Sequence, residues 1–100
     1  MPTFQVIFHR LAIRKYRSAR NWYREQSVEV AERFAVAIDQ AVNRIVARTE
    51  MLPALARSYR YVRVSRFPYI LIFRRVDDDI VMVVAVAHTS RRPGYWRRRA

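Results

Sequence analysis

The stretch "YILIFRRVDDDIVMVVAVAH", residues 69 to 88, restricts the fold more than any other part of the chain. Its two arms, 69–76 and 80–87, are rich in β-branched and aromatic side chains and are apolar at both odd and even positions. A strand that is apolar on both faces needs neighbours on both sides, so these arms read as central strands of a sheet. Asp77, Asp78 and Asp79 mark the turn between them, and Ser65 to Pro68 mark the turn before. The run from Ile80 to Ala87 is also the longest uninterrupted apolar stretch, and its eight residues fall short of the about 20 that a helix needs to cross a bilayer.

The rest of the chain supplies what such a hairpin must pack against. Phe4, Val6 and Phe8 alternate with Gln5, Ile7 and His9, the two-residue period of a first strand. From Ala12 to about Glu25, Ala12, Tyr16, Ala19 and Tyr23 recur every three or four residues among Arg14, Lys15, Arg17, Arg20 and Arg24, which predicts a basic amphipathic helix. Ser27 is placed to cap a second helix, with Glu29 and Glu32 near its start and Arg44 and Arg48 near its end. Ala31, Phe34, Ala35, Ile38, Ala41, Val42 and Ile45 give that helix an apolar stripe, and Pro53 closes the helical region. "SYRYVRV", residues 58–64, alternates as a further strand. The predicted fold is one α+β domain over residues 1–100: an N-terminal strand, a helical hairpin packed on one face of a mostly antiparallel four-stranded sheet, and a short basic C-terminal tail.

Charge narrows the partners. Lys plus Arg is 20 and Asp plus Glu is 8, a net charge of +12, and every basic residue except Lys15 is arginine. Such a surface attracts polyanions: nucleic acid, an acidic protein segment or, less readily, an anionic membrane. Arginine binds phosphate and carboxylate in a bidentate manner and stacks on rings. The same preference also arises from the base composition of a genome. There is no cysteine, which excludes disulfides and thiolate chemistry. Residues 1–10 lack a basic stretch ahead of an apolar one, so no signal peptide is expected and the protein reads as cytoplasmic, with no membrane partner.

Consecutive hairpins send alternate turns to opposite ends of a sheet. The turn at 65–68 and the exit of the last strand therefore share one end. Arg66, Phe67, Tyr69, His88, Arg91, Arg92, Tyr95 and Trp96 gather there, and the three aspartates lie roughly 27 Å away at about 3.4 Å per residue. Metal-free cleavage of RNA needs a base, an acid and cations around the phosphorane. His88 or Tyr95 could move the proton and Arg91 could meet the charge, but no carboxylate is placed near His88 by this geometry. Read plainly, His88 is a strand-end histidine bonded to backbone. The arginines and rings of the tail either grip a partner or stay solvated. His9 and His88 are the only histidines, no metal-ligand set exists, and no glycine-rich loop cradles a phosphate, so neither metal nor cofactor is expected.

Residues 60–96, "RYVRVSRFPYILIFRRVDDDIVMVVAVAHTSRRPGYW", resemble the C-terminal half of the RelE/ParE toxin superfamily. The matching features are Arg60 entering a strand, the turn Arg66-Phe67-Pro68-Tyr69, the acidic hairpin turn, and His88, Arg91, Pro93 and Trp96 after the last strand. "VEVAERFAVAIDQAVNRIVARTEMLPAL" is similar to the family's long second helix and the loop after it. The resemblance implies the toxin of a type II toxin-antitoxin pair, of the kind tied to plasmid stabilization, held in a hetero-oligomer by an antitoxin with an acidic C-terminal tail.

Two branches divide that superfamily. RelE-like members cut mRNA on the ribosome, and ParE-like members inhibit DNA gyrase by binding. Ile70 stands where the nuclease branch has an arginine, and His88 and Thr89 stand where it has a lysine-arginine pair. The resemblance therefore implies the ParE-like branch, with Arg60, Arg66, His88, Arg91, Arg92 and Trp96 as target contacts. A ribosome-dependent nuclease using His88, Arg91 and Tyr95 is the alternative, and a non-catalytic nucleic-acid-binding module is a second one.

Overall fold

A computed structural model describes residues 4–56 and 58–90. Strand β1 (Gln5–Phe8) leads into helix α1 (Arg10–Gln26), which is followed after one residue by α2 (Val28–Arg48). A 3₁₀ turn over Thr49–Met51 precedes β2 (Ala54–Ala56), β3 (Tyr59–Arg63), β4 (Tyr69–Asp77) and β5 (Ile80–His88). His9 caps α1, its Nδ1 accepting the Leu11 N–H at 3.1 Å. Ser27 serves both helices: its N–H donates to the Tyr23 carbonyl that ends α1, and its Oγ accepts from the Val30 N–H that begins α2. Side chains that compete with the backbone for hydrogen bonds favour such junctions over helix interiors.

The expected α+β class, the two helices and the central position of β4 and β5 are all present, but the sheet has five strands, not four, and is mixed. Its order is β1-β5-β4-β3-β2. Ala54–Ala56, expected as loop, pairs with β3 as a short edge strand. Arg60 holds the approach to it by donating to the Leu52 carbonyl at 2.7 Å, and the Tyr61 N–H bonds the Pro53 carbonyl. The other correction is direction: β1 runs parallel to β5, with Gln5 opposite Ile80 and Phe8 opposite Val83. Strands joined by tight hairpins must alternate in direction, whereas β1 is joined through the helical crossover and is free of that constraint.

The helices cover one face of the sheet. Phe34, Ala37, Ile38, Ala41 and Ile45 of α2 and Ala12 and Ala19 of α1 meet Val62, Leu71, Phe73, Val81, Val83 and Val86 in one core. Alanines at the contacts let the helices approach closely. The opposite face forms a second cluster in which Ile72, Val84, Ala85 and Ala87 are buried beside Tyr59, Tyr61, Ile70 and Met82. The two faces are reconciled by a bulge in β5: Ile72 pairs with Ala85 and Phe73 with Val83, so Val84 is one residue more than β4 supplies. Val84 and Ala85 both face the second cluster, and Val86 returns to the first.

Candidate functional site

The turn between β3 and β4 and the end of β5 do meet, as the hairpin geometry requires. The Val64 N–H donates to the Tyr69 carbonyl, the Tyr69 N–H to that of Phe67, and the Thr89 N–H to that of Pro68, which ties the exit of β5 to the turn. Arg66 has a φ of 70°. An L-residue with a Cβ in that region costs on the order of 1–2 kcal/mol, and it persists where its surroundings leave no choice. Phe67 supplies the constraint: its ring packs 5.1 Å from both Tyr23 and Phe34. Arg66 itself is exposed.

His88 stands at the rim on the helix-facing side, its ring edge-on to Tyr69 at 5.2 Å. Its Nδ1 lies 3.2 Å from the Ser90 N–H and 2.7 Å from Ser90 Oγ. An amide N–H can only donate, so Nδ1 is an acceptor and the ring proton of the neutral form sits on Nε2. The plain reading of a strand-end histidine bonded to backbone holds for Nδ1. A cleft of about 340 Å³ opens beside it, lined by Lys15, Ser18, Ala19, Trp22, Tyr23, Pro68, Tyr69 and His88. Five of those eight residues come from α1, which sequence reasoning left out of the site. The signal was there in part: Tyr16, Ala19 and Tyr23 mark the buried side of α1, and so place Trp22 at its margin.

The carboxylates divide around Phe67. A groove of about 830 Å³ on its other side takes Glu29, Glu32 and Arg33 from α2 together with Ser65, Arg66 and Phe67. Acid residues therefore do reach this end of the sheet, through α2 and beside Arg66, which the strand geometry alone did not foresee. The cleft at His88 is lined by none. Burial pushes the Tyr23 hydroxyl above its usual pKa. Among the described residues no cluster of three metal-ligating side chains occurs.

Not every expected contact residue belongs here. Arg60 pairs across from Phe73, four residues in from the rim, and its guanidinium is engaged with Leu52. Arg91, Arg92, Tyr95 and Trp96 lie outside the described residues, as does the basic tail. The acidic turn is at the far end, where Arg75 binds Glu50 at 3.0 Å and sits over the Phe4 ring at 5.2 Å.

No described helix is long and apolar enough to cross a membrane. No curated protein matches the chain. A family model described as the ParE toxin of a type II toxin-antitoxin system, parDE, matches residues 6–93, which takes in both helices, the strands from Val6 of β1 to the end of β5, and the rim around His88. By that match the chain belongs to the ParE toxin family of type II toxin-antitoxin systems.

Proposed function

We propose that this toxin inhibits DNA gyrase by binding, that its contact surface is the rim formed by Arg66, His88 and the α1 side of the cleft, and that a cognate antitoxin neutralises it. Arg91, Arg92 and Trp96 extend this surface in sequence. The observation that carries the reading is the state of His88. With Nδ1 occupied by Ser90, the outward nitrogen of the neutral ring is an N–H donor. A general base needs a free lone pair within reach of the proton it removes. A donor in a cleft with Lys15 and the rings of Trp22, Tyr23 and Tyr69 suits the recognition of an acidic or phosphate-bearing surface instead. Ile70 agrees with this: it packs beside Ile72 in the second cluster, where the nuclease branch would place an arginine.

The antitoxin tail is proposed to be acidic, and steering by a +12 toxin would speed its capture. The test is to mix the purified toxin with gyrase and supercoiled DNA and, separately, with translating ribosomes. Trapped cleavage complexes with intact message support the reading. Message cut in the ribosomal A site, and lost in Tyr95→Phe, would replace it with the nuclease. Arg66→Gly separates contact from fold. Glycine relieves the left-handed strain at a small entropic cost, so stability should hold or rise by up to about 1 kcal/mol in urea melts while gyrase trapping falls.

A further inference from the structure

The outward side of α1 has a composition that packing does not require. Its 17 residues include six basic side chains, Arg10, Arg14, Lys15, Arg17, Arg20 and Arg24, and one carboxylate, Glu25. At 3.6 residues per turn, Arg10, Arg14, Arg17 and Arg24 fall within an arc of about 80°, centred opposite buried Ala12 and Ala19. All four are exposed, and none forms an ion pair with a described carboxylate. Four like charges on one arc repel each other, so the stripe costs stability unless something answers it.

The spaces between these arginines are filled by small polar groups. Arg14, Arg17, Ser18, Asn21, Trp22 and Glu25 line a shallow groove of about 520 Å³. Trp22, 58% exposed, also lines the cleft at His88. One cationic surface thus runs from the start of α1 to the rim, with an indole at the join. A helical peptide that docks on such a face needs a row of apolar anchors at three- and four-residue spacing. Trp22 is the only large exposed apolar side chain on α1, whereas the hydroxyl and amide of Ser18 and Asn21 match a hydrated phosphate backbone.

We propose that this face of α1 binds the sugar-phosphate backbone of duplex DNA, with Arg10, Arg14, Arg17 and Arg24 on phosphates and Trp22 against the sugar edge. At 1.5 Å per residue the stripe is about 21 Å long, which spans about six base pairs of duplex at 3.4 Å each. It does not depend on gyrase being the target. DNA binding without gyrase trapping would remove only the reading above, and trapping without DNA binding would remove only this one.

The experiment is fluorescence anisotropy of a labelled duplex of about 20 base pairs with the full chain and no gyrase, titrated between about 50 and 200 mM salt. Four phosphate contacts predict a log-log salt slope of about −3 to −4, and hence affinity about a hundredfold weaker at the upper salt. Arg14→Ser with Arg17→Ser should flatten the slope by about 2. Arg33→Ser with Arg48→Ser removes the same charge from α2 and should leave the slope unchanged. Arg14→Lys with Arg17→Lys should restore binding, and circular dichroism checks that each variant is folded. Equal losses in the two serine pairs would reduce the effect to net charge and overturn the assignment. So would displacement of the duplex by a polyglutamate peptide of equal charge as readily as by unlabelled duplex, which would make the face an acidic-protein site.

Discussion

The two arms of the helical hairpin do the same work inside and different work outside. Both press alanines and aromatics onto the sheet: Ala12 and Ala19 from α1, and Ala31, Phe34, Ala37 and Ala41 from α2. Outwardly, α2 carries three acidic side chains, Glu29, Glu32 and Asp39, against three arginines, and pairs Arg33 with Glu29. Its large exposed apolar residues are Val28 and Val36. The outer side of α1 exposes four arginines against one carboxylate, Glu25, with one indole. A genome that favours arginine codons would load both arms alike. The difference between them shows that the outer chemistry of α1 is set by something other than the fold or the codon supply.

The comparison can be broken most forcefully from the inside. Phe34 is fully buried and its ring touches those of Tyr16, Tyr23, Phe67 and Tyr69. Phe34→Ala should cost about 3–5 kcal/mol in urea denaturation, more than any outer-face substitution on either arm, because truncation leaves a cavity that rigid neighbours fill poorly. A loss below 1 kcal/mol would mean that the arms are not held by a shared core. Next in size is the joint. Ser27→Ala removes the side-chain cap of α2 and should cost about 1 kcal/mol by the same measurement.

A finer test concerns the buried side of α1. Burial raises the Tyr23 pKa above its ordinary 10.0, so the folded state holds that proton more tightly than the unfolded chain does. The stability it contributes is complete below about pH 10 and is lost as pH rises through the folded value. Melting temperatures measured across that alkaline range should fall more steeply for the parent than for Tyr23→Phe. Equal slopes would show that the hydroxyl is as well solvated in the fold as out of it. The smallest effect is expected where the charge is greatest: Arg14→Ser with Arg17→Ser should change stability by no more than about 0.5 kcal/mol, since neither side chain packs on the core. A larger loss would contradict the separation of outer chemistry from fold.

Much of this was legible in the sequence because it depends on local periodicity. The apolar arms of 69–88, the stripe of α2 and the cap at Ser27 each follow from residue types at fixed spacing. What escaped depends on pairing between distant segments. Ala54–Ala56 carries no alternation and becomes a strand only because β3 offers an edge. The direction of β1 is not encoded in its own residues. Ala37, buried on α2, lies at the flank of the expected stripe, where an alanine reads as neutral. In the site, the turn and His88 were legible because hairpins count residues. The share of the cleft held by Lys15, Trp22 and Tyr23 was not, since it depends on how α1 is laid across β5.

The doubled step at Val84 decides more than local packing. With strict alternation from Val83, position 88 would fall among the residues facing away from the helices; the added residue turns it back toward Tyr69. Pairing Val84 in regular register instead of bulging it would keep every atom of the imidazole and deliver it to the wrong side of the sheet. The orientation of the rim is thus decided four residues upstream, inside a stretch of plain aliphatics with no polar group to advertise it.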